Sequence, residues 1–274
     1  QQAVNAVSAT SLTTSDNGDK IVVSSTDLSR CFEGYATLTT IDLTNLDTSS
    51  VENMDALFYN CTALTELDVH NWDTSQVTSM IGTFNSCKGL TELDVSDWDT
   101  GKVENMAFLF YGCEALTNLT IGSWDTKNVT AMDSMFNDCS KLTSLPIGGW
   151  DVRKVTRFDS MFANCNHIQQ FQLNSWVTSS ATNMSSMFSN CTALTSLDLE
   201  NWEIQEEADL TDIFQTNTSE PLLVEATADL LIHYDYDEDN RTCLGKVKVS
   251  ETYGSFKTAS LQLLKGGPRL RSEN

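Results

Sequence analysis

The amino-acid sequence predicts an α/β repeat protein: a curved stack of strand–turn–helix units, with a parallel sheet on the inner face, short helices outside and a small β-rich C-terminal segment. Two observations carry that expectation. All six tryptophans (Trp72, Trp98, Trp124, Trp150, Trp176 and Trp202) stand 26 residues apart. Six of the eight cysteines, at 61, 87, 113, 139, 165 and 191, keep the same step. A fixed period of this length marks a stack of small units, none of which can bury its apolar face alone.

Other columns follow the same step. Phenylalanine occupies 58, 84, 110, 136, 162, 188 and 214, and methionine 54, 80, 106, 132 and 184, with Phe158 in the remaining copy. Within "LTELDVHNWDTSQVTSMIGTFNSC", Leu64 to Cys87, the residues Leu64, Leu67 and Val69 have the spacing of a short strand with one buried face. The polar "DTSQ" after Trp72 reads as a turn in which Asp73 accepts backbone N–H groups ahead of it. Val77, Met80, Phe84 and Cys87 then recur at helical spacing. Thr130 to Asp133 and Thr156 to Asp159 read as capping boxes at helix starts. Stacked strands lie about 4.8 Å apart, whereas helix axes need roughly 8–10 Å. The helix side is therefore expected to be the wider one, bending the stack around its sheet.

A thiol at a fixed interval is not a catalytic arrangement, which needs one, nor a zinc site, which needs a close cluster. A free cysteine packs as a small hydrophobe, and Cys87 is read as filling a gap between neighbouring copies. The rival is a ladder of disulfides. Bridges need Cα atoms within roughly 7 Å, and the expected helix spacing favours buried free thiols. The tryptophan, methionine and phenylalanine columns are read as core, not as a cofactor box.

Sixteen Lys plus Arg against 38 Asp plus Glu give a formal charge of −22. That field repels phosphate backbones and anionic headgroups, so nucleic acid is not an expected partner. No apolar run reaches the roughly 18 residues of a membrane span, and no membrane insertion is expected. The opening "QQAVNAVSATSLTTSDNGD" reads as a mature start behind a removed leader or as an ordinary polar tail.

The stretch "LTELDVSDWDTGKVENMAFLFYGC", Leu90 to Cys113, resembles the repeat of the BspA-like leucine-rich-repeat surface proteins, and the likeness runs from about Leu38 to Asn217. It implies a right-handed leucine-rich-repeat solenoid, a bacterial cell-surface or secreted setting with the full-length protein attached to the cell wall, and adhesion or host contact. It carries no shared catalytic site. The end copies depart from the pattern, with Leu46 in place of tryptophan and Tyr35 and Asn217 in place of cysteine. The expected organisation is a tail and cap over 1–37, with Cys31 in a core slot, then about seven repeats over 38–217. A β-rich cap or further module would fill 218–264, and a tail or linker 265–274. "HYDYDEDNRTCLGKVKVSETYGSF" resembles the opening of MucBP-type modules of Gram-positive surface proteins; the other reading is a strand pair capping the solenoid. Asp235, Asp237 and Asp239 share the spacing of a calcium loop, but Asn240 and Lys246 stand where its glycine and glutamate belong, which favours a hairpin turn.

Function has to come from surfaces. The residues that would project from the inner sheet and could meet a ligand are Asp42, Glu66, Asp68, His70, Asn71, Glu92, Asp94, Asp97, Asn118, Gln170, Gln172, Asp198 and Glu200. Carboxylates and amides there suit a cationic or polyhydroxyl partner, namely a host surface or matrix protein or a glycan. The plainer reading is a solvated sheet face kept soluble by charge. Pro146 sits in a strand slot and predicts a local irregularity. The histidines His70, His167 and His233 are scattered, and no nucleophile, metal or phosphate-loop motif is present. An enzyme is not expected, and a carboxylate pair doing glycosidase work is disfavoured because the carboxylates belong to the repeat. No cofactor is expected; calcium is the one ion left open. The chain is expected to be a monomer. Its two candidate roles are a binding module and an inert stalk that displays another domain.

Overall fold

The computed structural model describes residues 11–13, 21–215, 222–226, 234–235, 246–249, 259–263 and 269–270. The chain divides into two compact units, 1–129 with 135–141 and 130–134 with 142–274. In the first unit, β1 (Ser11–Thr13) pairs in parallel with β3 (Thr40–Asp42), and β3 with β5 (Glu66–Leu67). The short β2 (Ile21–Val22) lies parallel to β4 (Leu46–Asp47), and β6 (Glu92–Asp94) to β7 (Asn118–Thr120). Thr40 faces Glu66, and Glu92 faces Asn118, so the register of the sheet is the period of the sequence. Alternate residues point inward: Leu93 is buried between exposed Glu92 and Asp94, and Leu119 between exposed Asn118 and Thr120.

In the second unit, β8 (Gln170–Phe171) pairs in parallel with β9 (Ser196–Leu199), and β9 with β10 (Leu222–Ala226). The sheet then turns antiparallel through β13 (Ala259–Leu263) and β12 (Lys246–Val249). β11 (Tyr234–Asp235) pairs with β14 (Arg269–Leu270). No strand forms around Pro146, which has no N–H to give a neighbour. The acidic turn with Asp237, Asp239 and Asn240 lies outside the described residues.

The expected helices are absent: no α-helix occurs among the described residues. Where helical spacing was read, backbone N–H groups alternate between two kinds of partner. Met54, Ala56, Phe58 and Asn60 donate to the carbonyls of Ser79, Ile81, Thr83 and Asn85 in the next copy, at 2.7–3.0 Å. The residues between them close tight turns on their own copy: Leu57 to Met54, Tyr59 to Ala56 and Cys61 to Phe58. The third residue of the first and last of these turns is left-handed, with φ of 52° at Ala56 and 60° at Asn60. A run of tight turns advances by threes and so imitates helical spacing. The signal that separates the two is the residue before each cysteine: Asn60, Ser86, Gly112, Asp138, Asn164 and Asn190. All six have positive φ, and most are types that tolerate it, whereas a helix interior disfavours them.

The wide outer side disappears with the helices. Phe58 and Phe84 stack at 5.7 Å between ring centroids, and Phe84 and Phe110 also at 5.7 Å, so this edge has nearly the spacing of stacked strands. The premise from which curvature was expected does not hold within either unit. The capping boxes have another role too: Thr156 donates its hydroxyl to the Thr130 carbonyl, and Thr182 to that of Thr156.

The core consists of the repeat columns. Tryptophan, phenylalanine, methionine and leucine are buried copy upon copy, with Trp72, Trp98 and Trp124 stacked at 6.4 and 6.5 Å. Buried donors tie neighbouring copies together in both directions: the Thr74 and Thr100 hydroxyls reach forward to the carbonyls of Asp99 and Asp125, at 3.0 and 3.1 Å, while tryptophans reach back. The Trp98 Nε1–H reaches the Val69 carbonyl at 2.9 Å and the Trp124 Nε1–H that of Val95 at 3.0 Å. The buried Thr83 hydroxyl has the carbonyls of Met54 and Met80 each within 3.0 Å.

The described cysteines are free thiols, and those of the column are buried. The spacing argument against bridges fails, because this edge is narrow. Instead, at least five of the six column thiols donate Sγ–H to a carbonyl of the preceding copy, among them Cys87 to Phe58 at 3.3 Å, Cys113 to Phe84 at 3.3 Å, and Cys191 to Phe162 at 3.0 Å. The cysteine is therefore a donor as well as a filler. Cys31, expected in a core slot, is exposed. It aligns with buried Leu57 but belongs to the first turn copy, with no described copy beyond it to cover it.

Candidate functional site

The strand face of the first unit carries a shallow groove of about 430 Å³. It is lined by Glu66, Asp68 and His70 from one copy, Glu92 and Asp94 from the next, and Asn118 and Thr120 from the third. The buried floor residues Leu67 and Leu93 orient them, since the strand alternation that sends these leucines inward sends Glu66, Asp68, Glu92 and Asp94 out.

Two of the carboxylates also hold their own turns. Asp94 Oδ1 accepts the Ser96 N–H at 3.0 Å, and Asp68 Oδ1 accepts that of His70 at 3.4 Å. Hydrogen bonds from Ser96 hold the Asp94 carboxyl below the usual carboxylate range. The side chains of Glu66 and Glu92 make no hydrogen bond or ion pair among the described residues, so their charge is open to solvent. His70 Nδ1 stands 2.6 Å from Asp68 Oδ1. That bond, followed by the charges of Asp68, Asp94 and Asp97, raises the imidazole pKa. The pair is about half exposed, which makes it a weak brace and an accessible charge.

Of the residues singled out in the sequence, the groove brings together Glu66, Asp68, His70, Glu92, Asp94 and Asn118. Asp97 acts on it through its charge on His70. Asp42 is exposed on β3, where it accepts the Thr44 N–H and hydroxyl, and Asn71 is exposed beside His70; neither lines the groove. Gln170, Gln172, Asp198 and Glu200 belong to the second unit, where Asp198 Oδ1 accepts the Glu200 N–H at 3.2 Å. Thr120, a projecting residue of the same strand pattern as Asn118, lines the groove as well. Its exposed place on β7 follows from the same alternation that picks Asn118.

The first carboxylate after Trp behaves as expected: Asp73 accepts the Ser75 N–H and Asp99 the Gly101 N–H. Asp133, read in the sequence as the acidic end of a capping box, is instead a buried carboxylate. In the second unit it lies 3.3 Å from the Arg157 guanidinium, and its Oδ1 has no hydrogen-bond partner. Burial pushes its pKa up despite the arginine. Among the described residues, no three His, Cys, Asp or Glu side chains are grouped to hold a metal ion, and no helix is long and apolar enough to cross a membrane.

The family described as "Mycoplasma protein of unknown function, DUF285" matches the chain over residues 26–142 and again over 116–222, which together make up more than half of it. The chain belongs to this family. The overlap of the two matches reflects the repeat, and the family is that of the BspA-like repeats named above. No curated protein matches the chain by sequence. Among solved structures, an internalin (inlF) from Listeria monocytogenes is similar at 14% identity and a TM-score of 0.22, covering 67% of this chain and 74% of that chain. A likeness that distant carries neither shape nor function across.

Proposed function

We propose that the chain is a binding module of a bacterial cell-surface or secreted adhesin, using the strand face of its repeats to recognise a host protein or glycan. The repeats of each unit would stack as in a leucine-rich-repeat solenoid, with tight turns in place of helices. The observation that carries this reading is the groove of the first unit, where Glu66 and Glu92 hold unpaired charge beside Asp68 and Asp94. In a chain of formal charge −22 such a groove suits a basic protein surface, and its field accelerates encounter in a salt-dependent way. No catalytic role is assigned, because the groove's carboxylates repeat from copy to copy and none is set apart as a proton donor.

The stalk reading keeps one observation on its side. Asp68 and Asp94 serve their own turns, as Asp42 and Asp198 do, and would be present without any ligand. The test therefore uses the two glutamates that brace nothing. The chain and its E66K/E92K variant are passed over immobilised matrix proteins and a glycan panel, with and without calcium. Retention of a basic partner that is weakened by salt and lost in the variant supports the module. Absence of retention, or retention indifferent to the variant, supports the stalk.

A further inference from the structure

The turn edge of the first unit holds a second concavity, of about 370 Å³, away from the strand face. It runs across four successive copies between two columns three residues apart. One column is Arg30, Ala56, Gly82 and Phe108; the other begins Glu33, Tyr59 and Asn85. Three steps at about 4.8 Å give it a length of about 15 Å. Ala56 and Gly82 leave the middle low, and Phe108 closes one end.

Phe108 is out of place by every local rule. Its φ is 57°, in the left-handed region, where a bulky side chain is strained by about 1–3 kcal/mol. The same position holds Arg30 in the first turn copy, which is long and charged, and Ala56, Gly82, Ser134, Ser160, Ser186 and Asp212 in the others, all small or short and polar; Phe108 is its one aromatic among the described copies. Yet the ring is not buried in compensation: it is partly exposed and packs at a tilt against Tyr111, 5.9 Å between centroids. Tyr59, in the second column, is one of the two large hydrophobic residues exposed among those described.

The polar groups of the groove sum to no charge. Arg30 grips Glu33 through both carboxylate oxygens, at 3.0 and 2.9 Å, on the surface. Asn85 adds a carboxamide whose Nδ2 lies 3.7 Å from where a Gly82 Cβ would stand, over the low middle. From these features we infer that the groove is a subsite for a neutral oligosaccharide of two to three rings. Aromatic faces at Phe108 and Tyr59 suit the C–H faces of sugar rings. A guanidinium–carboxylate pair, joined through the Arg30 Nη1 alone, and an amide offer donors and acceptors together, as vicinal hydroxyls require. A charged ligand would have to break the Arg30–Glu33 pair; a neutral one need not.

The inference is independent of the strand-face groove, and the variants separate the two. Phe108→Ser restores the type of residue that three other copies carry, and Gly82→Asn raises the floor with a residue that tolerates positive φ. An array of neutral di- to tetrasaccharides is probed with the intact chain, and any binder is titrated calorimetrically. The expected result is binding of at least one member, weakened tenfold or more by each variant and untouched by E66K/E92K. Phe108→Ser should at the same time keep or raise the melting temperature, because it releases strain. The inference is overturned if no array member binds, if binding survives both variants, or if Phe108→Ser lowers the melting temperature and so marks the ring as structural.

Discussion

The two edges of each repeat are bonded to their neighbours in different ways. On the strand edge, Glu92 pairs with Asn118 and Asp94 with Thr120 in an ordinary parallel ladder, and every second side chain is free to face solvent. On the turn edge, half of the N–H groups also go to the next copy, but the others close turns that demand a left-handed residue at fixed places. Variation is therefore cheap on the first edge and constrained on the second. The strand face could become acidic in one unit and amide-rich in another, whereas a bulky residue such as Phe108 on the turn edge stands out.

The strongest challenge to this contrast is to hollow the stack on the turn side. Phe84→Ala should destabilise the chain by about 3–5 kcal/mol, the range for truncating a buried aromatic, read by urea unfolding; an effect below about 1 kcal/mol would mean that the column carries little of the core. Next comes the exception on the strand edge. Gly122 has φ of 53°, and an added Cβ would stand 2.3 Å from the Ser96 carbonyl oxygen. Gly122→Ala should cost at least about 1–3 kcal/mol, while Asn118→Ala on β7, the strand just before it, should stay within about 0.5 kcal/mol. Equal effects at the two positions would erase the distinction between a constrained and a free site.

A third outcome concerns thiols. Burial pushes the Cys61 pKa up to about 11 and those of Cys113 and Cys191 up to about 12. Among the described cysteines, a thiol reagent at pH 8 should therefore label exposed Cys31 first and leave the column unlabelled until urea unfolds the chain, as mapped by peptide mass analysis. Labelling of Cys87 in the folded chain would show that the turn edge opens. The smallest effect is electrostatic. His70 has a raised pKa, so its positive charge persists above the usual histidine range and is lost as pH rises through the raised value. A basic partner in the strand groove should bind more tightly above that pH than below it, by no more than a few-fold. His70→Gln should flatten the profile.

The 26-residue step, the buried columns, the one-sided strands and the irregularity at Pro146 were legible because each is a periodic or steric statement about side chains. The helices were misread because periodicity at three and four does not distinguish a helix from consecutive tight turns. Asn60, Gly112 and Asn164 held the distinction, since a residue type suited to positive φ recurs at one place. Six of the acidic-face residues converge as the alternation implied, but the sequence could not say which copies would share a groove. The turn-edge concavity had a signal that alignment of the copies shows: an aromatic Phe108 where other copies carry serine, alanine, glycine, aspartate or, in the first, arginine. Asp133 had none, because its burial depends on its surroundings, not on its place in the period.

Because each turn lends half its amide protons to the copy that follows, no copy is self-sufficient and none is special. Such an architecture lengthens or shortens by whole 26-residue quanta without disturbing either junction, since an inserted copy presents to both sides the same row it replaces. Repeat number is then a freely adjustable dimension, open to slippage and recombination of the coding sequence, and it can set reach while the faces keep their chemistry.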